Sequence, residues 1–498
     1  MAKARRLALL AFAGLLAGCG GSSAPNPPHG GAVLRLTIPT DPATLDPAKV
    51  ADLPSLNVVH ELNAGLTRFS GSGVEPDLAE SWEPSQDGLV WTFRLRKGIR
   101  WSNGAPITAE DFRRSWLRAL APATHSAYAR AEMQNIRGAR RYRVTGSGDV
   151  GIEAVDERTL RVTLQHPVPW LDEQVAWPVF FAVPRRGHAT SGPFRLASRT
   201  KGRLVLQRSL TYWNAVAVKP RRVVLTTSFK HVDGYLPRSR AAPGFQWVQN
   251  GINPQIAKRA LPRLAVELLW LMTKGTTLAD PQTRAFVNSA IDRPDLVRRA
   301  ALRTAGGERA IYTVMPPAMP GPDVVTIRRG ALEAVPRGLS LTLAYSVEDV
   351  YGEAVAIGIR GQLYRRGVQV ELKPVASLSD LAALAGPPAK PGIDMVLLGW
   401  SPEFFDQYNI LDLFPCGSAF NVAQWCDPNY DLRMGQAVRE LDDGSRYKME
   451  RFLLQELRGA VPAVPLFSAS DNVFFERGVG GFRWSPIGFY ELMGMTRS

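Results

Sequence analysis

The segment 341–372 constrains the fold of this chain more than any other. Residues 341–345 and 368–372 have the apolar pattern of strands, and residues 355–364 between them space apolar side chains with the period of a helix. Gly367 supplies the turn before the second strand. A strand, a helix and a strand in this order form a βαβ unit, in which the two strands run parallel. The sequence therefore predicts an α/β fold.

Further strand and helix patterns follow one another along the chain. Strands are predicted at 34–38, 90–95 and 394–398, and a helix is predicted at 58–66. Another helix should begin after Thr108, because Asp111 three residues later approximates a capping box. The chain shows no internal repeat, so the pattern excludes a repeat architecture.

Length and composition limit the class of protein. The 498 residues correspond to about three domains at ~150 residues each. Hydrophobic residues make up 45% and charged residues 21%, which excludes a disordered chain and a polytopic membrane protein. Away from the N-terminus the longest apolar stretch, 264–272, is shorter than the ~20 residues that cross a bilayer.

The N-terminus has the pattern of a bacterial lipoprotein signal. Three basic residues precede an apolar run at 7–16, and Leu16-Ala17-Gly18-Cys19 matches a lipobox. The alternative, a retained signal-anchor helix, would need ~20 apolar residues, which this run does not supply. We expect cleavage of residues 1–18, lipidation of Cys19 and a flexible tether over 19–32.

The chain is basic, and its charge bears on possible partners. Loss of residues 1–18 lowers the formal net charge from +15 to +12, because that segment carries three basic residues. Arginines are spread along the chain, and pairs such as Arg113-Arg114 lie within amphipathic patterns. We interpret them as a solvated basic surface, with attraction to anionic lipid headgroups as the alternative, and we expect no nucleic-acid partner for an exported protein.

Motifs of catalysis and metal binding are missing from the sequence. It contains neither a Gly-x-Ser-x-Gly elbow nor a phosphate loop, and no Gly-x-Gly-x-x-Gly follows a strand. The six histidines are scattered without the spacing of metal ligands. We therefore expect no enzymatic activity, no cofactor and no metal site.

A set of ordered motifs begins at residue 90. Val90-Trp91-Thr92-Phe93-Arg94-Leu95-Arg96 is followed by Trp101-Ser102-Asn103-Gly104, by Ile107-Thr108-Ala109-Glu110-Asp111-Phe112 and by Ser115-Trp116. This stretch resembles the signature of the oligopeptide- and dipeptide-binding lipoproteins, the extracellular solute-binding proteins of family 5.

Other segments resemble landmarks of that family in the same order along the chain. They are Thr44-Leu45-Asp46-Pro47, Gly65-Leu66, the segment 76–82, Ser191-Gly192-Pro193-Phe194, Tyr212-Trp213, Arg284 with Ala290-Ile291-Asp292-Arg293, Gly399-Trp400, Asn421, Pro428 with Asp431, and Val464-Pro465-Leu466. The resemblance extends from about residue 33 to the end of the chain.

The resemblance implies a two-lobed periplasmic-binding-protein fold of class II, a Venus flytrap, with an extra domain inserted in the first lobe. Transferred to this numbering, lobe I comprises 33–58, 168–260 and 464–498. The inserted domain comprises 59–167, and lobe II comprises 261–463.

The resemblance also implies a function in transport. Such a protein captures a peptide in the cleft between its lobes and delivers it to the membrane permease of an ABC importer. We expect a monomer, anchored by its lipid to the outer face of the cytoplasmic membrane or within the periplasm. The alternative keeps the fold but binds another solute, such as a metal chelate, an opine, a sugar or an antibiotic. An exported enzyme is a third class, which no motif supports.

The anchor for the peptide's α-ammonium is predicted from the family pattern. Family members carry a carboxylate shortly after the Gly-Trp pair, and the matching position here is Glu403, where the usual residue is Asp. Asp406, which precedes Gln407 where the family usually has proline, is the second candidate.

The remaining contacts to the ligand are predicted in the same way. Asp41 and Pro42 match the segment that pairs with the bound main chain, and Trp400 and Ser401 match the facing segment. Tyr128 lies where the inserted domain approaches the cleft. Residues 213–284 match the family less well, which favours the alternative of another solute.

Two cysteines remain besides Cys19. Cys416 and Cys426 lie ten residues apart, and in an exported, oxidising setting we expect them to form a disulfide, with two free thiols as the alternative.

Overall fold

The computed structural model describes residues 31–228, 232–236, 256–304, 306–321, 338–385, 392–418 and 420–498. Its strands, in chain order, are β1 Val33–Thr37, β2 Thr67–Ser70, β3 Gly73–Pro76, β4 Ala79–Pro84, β5 Val90–Leu95, β6 Ile152–Ala154, β7 Thr159–Thr163, β8 Phe194–Thr200, β9 Arg203–Arg208, β10 Arg222–Thr226, β11 Gly234–Tyr235, β12 Ile256–Leu271, β13 Arg309–Ala310, β14 Ser340–Ser346, β15 Gln369–Val375, β16 Met395–Leu397, β17 Ala463–Glu476, β18 Val479–Gly480, β19 Arg483–Trp484, β20 Tyr490–Glu491 and β21 Thr496–Arg497.

Helices lie between and around these strands. The α-helices, in chain order, are α1 Leu53–Leu62, α2 Ala109–Leu120, α3 Ala127–Glu132, α4 Ala139–Thr145, α5 Leu171–Gln174, α6 Pro281–Ala290, α7 Arg293–Ala301, α8 Gly352–Tyr364, α9 Leu378–Ala385, α10 Tyr408–Leu411, α11 Pro428–Ala437 and α12 Asp443–Ala460. Within the described ranges, none of these helices is long and apolar enough to cross a membrane. Cys19 lies outside the described residues.

Two long antiparallel strands connect the halves of the main sheet. The order of its strands is β15-β14-β16-β12-β17-β11-β1-β10-β9-β8, with β13 paired to β17. β12 and β17 pair from Ile256 opposite Glu476 to Trp270 opposite Ala463, with register shifts on either side of Val266. One half of the sheet holds β1 and β8–β11, and the other holds β14–β16. The division into lobes at residues 260 and 463 stays a prediction.

The βαβ unit predicted at 341–372 is confirmed. β14 and β15 are parallel, with Ser340 opposite Gln369, and α8 lies between them in the chain. The helix buries Val355, Ile359 and Leu363, which share a core with Leu341 and Leu343 of β14. Gly367 adopts a φ of 82°, a conformation that residues with a side chain rarely take.

A second sheet lies within the range predicted for the inserted domain. Its strands are antiparallel in the order β4-β5-β7-β6, and α2 packs on β6 and β7. The predicted capping box of α2 is confirmed, since Asp111 Oδ2 accepts a hydrogen bond from the Thr108 amide at 3.0 Å. Trp91, Phe93, Phe112 and Trp116 are buried in this region, so these signature residues belong to the core.

One sequence prediction of a helix needs correction, and one family landmark lies at the end of a helix. The helix predicted at 58–66 spans Leu53–Leu62 instead, because the Asp52 side chain caps the Ser55 amide and so starts the helix earlier. The landmark Ala290-Ile291-Asp292-Arg293 lies at the junction of two helices, α6 and α7. Asp292 leaves the helical conformation and accepts a hydrogen bond from the Asp295 amide, which makes it the N-cap of α7.

Candidate functional site

The site is built on the segment that follows β16. β16 pairs with β12, and the pairing continues at Trp400, whose amide donates to the Val266 carbonyl at 2.8 Å and whose carbonyl accepts from the Val266 amide at 2.9 Å. Gly399 precedes this contact, and a Cβ at that position would lie 2.7 Å from Glu267 Oε2 and 2.9 Å from the Val266 carbonyl. Glycine is therefore required for β16 to lead into the site.

Glu403, the predicted amine anchor, is partly buried and held by neutral groups. Its Oε2 accepts a hydrogen bond from Asn409 Nδ2 at 3.0 Å, and its carbonyl accepts one from Trp177 Nε1 at 2.7 Å. Trp400 Nε1 donates to Asn409 Oδ1 at 3.0 Å and so fixes the direction in which this amide points. The Trp400 side chain thus positions the Glu403 carboxylate through Asn409.

Tyr128 lies near the same carboxylate, whose charge acts on its hydroxyl, and its contact with a ligand stays a prediction. Its ring stacks on Trp177, with centroids 5.3 Å apart and an angle of 23° between the planes. Burial raises the pKa of the Tyr128 hydroxyl to about 12, and the charges of Glu403 and Glu132 add to the shift.

A second carboxylate, Glu132, faces Glu403. It ends α3, one turn after Tyr128, and its Oε2 accepts a hydrogen bond from Gln174 Nε2 at 3.4 Å. Burial raises the pKa of Glu132 to about 8, and repulsion from Glu403 adds to this shift. Burial likewise raises the pKa of Glu403 to about 7. Among the described residues, neither carboxylate forms an ion pair with Lys or Arg.

The segment 170–177 packs against the segment 403–408. The Trp170 ring stacks on Phe404 at 4.9 Å and on Tyr408 at 4.5 Å between centroids. Glu173 accepts a hydrogen bond from the Phe405 amide through its carboxylate, and burial raises the pKa of Glu173 to about 8. These contacts join the range predicted for lobe I to the range predicted for lobe II, with Glu403 at their margin.

Asp406, the second predicted anchor, is instead part of a buried ion pair. Its Oδ2 accepts hydrogen bonds from Arg446 Nε at 2.9 Å and Nη2 at 2.7 Å, and its Oδ1 accepts one from the Tyr408 amide at 2.8 Å. Only 3% of each side chain is exposed. Because both oxygens are occupied and out of reach of a ligand, we correct the assignment of Asp406 from ligand binding to a structural role.

The other predicted contacts lie in two places. Ser401 is exposed next to Trp400. Asp41 Oδ2 accepts a hydrogen bond from the Gly202 amide at 2.5 Å, and the Pro42 carbonyl accepts one from Arg199. Both residues thus contact the β8–β9 hairpin, and their pairing with a ligand stays a prediction.

The Cys416 and Cys426 sulfur atoms are joined, with their Cα atoms 4.6 Å apart. Phe420, within the loop that they close, contacts the Trp400 ring edge-on at 5.2 Å between centroids. We predict that replacing both cysteines by serine lowers the free energy of unfolding by about 2–3 kcal/mol, because the unfolded chain loses the cross-link. Urea unfolding measures this loss. Two free thiols in non-reducing mass spectrometry of the untreated protein would contradict the disulfide.

Sequence reasoning missed several residues of this site, namely Glu132, Gln174, Trp177 and Asn409. One signal for Glu132 was present, since a residue four positions after Tyr128 lies on the same face of a helix. The amides of Gln174 and Asn409 carried no such signal, because their importance depends on contacts across the fold. In the described part of the chain, no three His, Cys, Asp or Glu side chains are placed to hold a metal ion.

Comparisons with known proteins identify the family to which this chain belongs. The family model described as "Bacterial extracellular solute-binding proteins, family 5 Middle" matches residues 73–421, well over half of the chain. The chain is 27% identical to the probable deoxycholate-binding periplasmic protein YgiS of Escherichia coli, over 90% of each sequence. It is 25% identical to the oligopeptide-binding protein OppA of Bacillus subtilis, over 89% of this chain and 88% of that protein.

Solved structures have the same fold. The unliganded open form of MppA, a periplasmic murein tripeptide-binding protein, superposes with a TM-score of 0.79 at 22% identity, covering 93% of this chain and 97% of that one. The fold is thus the two-lobed α/β fold of periplasmic binding proteins. The chain belongs to the bacterial extracellular solute-binding proteins of family 5, which are binding proteins and not enzymes.

Proposed function

We propose that this protein captures peptides through their free α-ammonium group, which binds the Glu403 carboxylate between the two lobes. It then delivers them to the permease of an ABC importer. The observation that carries this proposal is a partly buried carboxylate that accepts a hydrogen bond from the neutral Asn409 amide and, among the described residues, forms no ion pair with Lys or Arg. Such a group is poised to accept a charge-assisted hydrogen bond from an ammonium ion.

Cationic ligands suit this site better than anionic ones. Glu403 and Glu132 would both repel a carboxylate, and deoxycholate, the ligand in the name of YgiS, carries one. The names of OppA and MppA, an oligopeptide-binding and a murein tripeptide-binding protein, support a ligand with an amino terminus. We therefore retain peptides and do not favour the alternative of another solute.

The place of the protein in the cell is part of the proposal. The lipobox at Cys19 supports an anchor in the membrane, and the tether at 19–32 supports a binding domain that stands away from the surface. We propose that a monomer carries the ligand to its permease.

Native mass spectrometry of the full-length protein, extracted from the membrane fraction with detergent, tests the proposal. We expect peptides to be released from the purified protein on gas-phase activation, and a lipidated N-terminal fragment that begins at Cys19. Protein that carries no peptide, and that neither binds nor is stabilised by added tripeptides, would contradict peptide capture. An unprocessed N-terminus would contradict the anchor alone.

A further inference from the structure

We propose that Glu132 and Glu403 form one subsite for two positive charges, so that the protein prefers peptides whose first residue has a basic side chain. This inference rests on the proposed function and names the class of ligand within it. It assigns to Glu132 a role in specificity, beside the anchoring role of Glu403.

The two carboxylates are held by a single short segment. Gln174 Nε2 donates to Glu132, and three residues later Trp177 Nε1 donates to the Glu403 carbonyl. Tyr128, which stacks on Trp177, lies one helical turn before Glu132. The Glu132 carboxylate of α3 and the Glu403 carboxylate therefore lie close enough for their charges to repel each other.

Among the residues that the structure describes, no Lys or Arg forms an ion pair with either carboxylate. Arg446, a buried cation of α12, pairs with Asp406 instead. Burying two carboxylates in their ionised form without a cation costs free energy, and the raised pKa values of both groups reflect this cost. A ligand whose positive charges pair with the two carboxylates offsets the cost of burying them.

An unpartnered acceptor lies beside the pair. Gln174 is only 5% exposed, and while its Nε2 donates to Glu132, its Oε1 has no hydrogen-bond partner within the described ranges. Because both atoms belong to one amide, this acceptor lies next to the Glu132 carboxylate. Two carboxylates and an amide oxygen together call for a donor with several N–H groups, as an ammonium or guanidinium ion has.

One ammonium ion cannot satisfy the whole subsite. With pKa values of about 8 for Glu132 and about 7 for Glu403, the empty pair holds a proton near neutral pH, and the α-ammonium of a peptide pairs with the carboxylate that is ionised. A second cation can replace the proton on the other carboxyl. A basic side chain on the first residue supplies the second cation from the same end of the ligand. The stacked rings of Tyr128 and Trp177 offer a surface on which its methylene groups can pack.

Isothermal titration calorimetry with three tripeptides tests the inference. The peptides are Lys-Ala-Ala, norleucine-Ala-Ala, whose side chain has the same length without the charge, and Ala-Ala-Ala. For the unaltered protein we expect Lys-Ala-Ala to bind about 10- to 100-fold more tightly than norleucine-Ala-Ala. For Glu132→Gln we expect this ratio to fall to near one, while Ala-Ala-Ala still binds, which shows that the variant is folded.

Glu83→Gln is the matched control, because Glu83 is an exposed acid of the predicted inserted domain and the change in net charge is the same. It should keep the full preference for lysine. An equal ratio in the unaltered protein and in Glu132→Gln would overturn the inference, and so would an equal loss in Glu83→Gln. If Ala-Ala-Ala binds and depends on Glu403, the proposed function survives that result. Failure of every peptide to bind would overturn both.

Discussion

Glu403→Gln is expected to weaken the binding of a tripeptide with a free amino terminus by about 100-fold. The substitution keeps the size of the side chain and its hydrogen bond from Asn409, but removes the charge that pairs with the ammonium ion. A hydrogen bond between charged groups contributes about 1.5–3 kcal/mol, and the upper part of that range corresponds to about 100-fold. Isothermal titration calorimetry with Ala-Ala-Ala near pH 7 measures the effect.

Two controls accompany this measurement. Glu403→Asp keeps the charge and restores the residue that is usual in the family, so its affinity should stay within about tenfold of the unaltered protein. N-acetyl-Ala-Ala-Ala lacks the ammonium ion and should bind weakly to every variant. If Glu403→Gln bound the free-amine peptide with full affinity, Glu403 would not be the group that binds the ammonium ion.

The same anchor should make binding depend on pH. Burial raises the pKa of Glu403 to about 7, so the empty site holds a proton under mildly acidic conditions. The ammonium ion favours the ionised carboxylate, and a peptide amino group stays protonated below its pKa of about 7.7. Affinity should therefore rise from about pH 5.5 to about pH 7, with release of protons that calorimetry in different buffers detects. Glu403→Gln should lose most of this rise.

Local sequence patterns predicted those helices and strands that are determined by residues close together in the chain. The βαβ unit follows from the spacing of apolar residues in 341–372, and the start of α2 follows from Thr108 and Asp111. The start of α1 was missed because apolar spacing begins later than the helix, whereas the true signal is the cap at Asp52. The order of strands in the main sheet required pairings far apart in the chain, such as β12 with β17, which no local pattern contains.

The residues of the site also divide into those that a sequence pattern predicts and those that only the fold reveals. Position after the Gly-Trp pair identified Glu403 and Asp406, but their sequence context could not separate them. The difference lies in Arg446, forty residues beyond Asp406 and on another helix. Glu132 matters only because α3 and the segment 403–409 meet at Trp177. The role of a charged residue that depends on tertiary contacts cannot be predicted from local sequence patterns.

Disrupting the ion pair between Asp406 and Arg446 is expected to have the largest effect on stability. Arg446 lies on α12 and contacts Asp406 and Asp443, and its Nε lies 4.0 Å from Glu450 Oε1. Burial raises the pKa of Glu450 to about 10, so this carboxyl is neutral and Asp406 is the main buried counter-charge. The guanidinium group therefore compensates the Asp406 carboxylate, with which no other cation of the described residues forms an ion pair.

Arg446→Met is expected to lower the free energy of unfolding by about 3–5 kcal/mol, because it leaves Asp406 buried without a counter-charge. Urea unfolding measures the loss. Arg433→Met is the matched control, since Arg433 pairs with Glu456 at a more exposed position and its loss should cost about 1 kcal/mol or less. The double variant Arg446→Met with Asp406→Leu should recover much of the stability, because no buried charge is then left unpaired. Equal losses in the two single variants would show that the Asp406–Arg446 pair is not the buried contact on which the structural role of Asp406 depends.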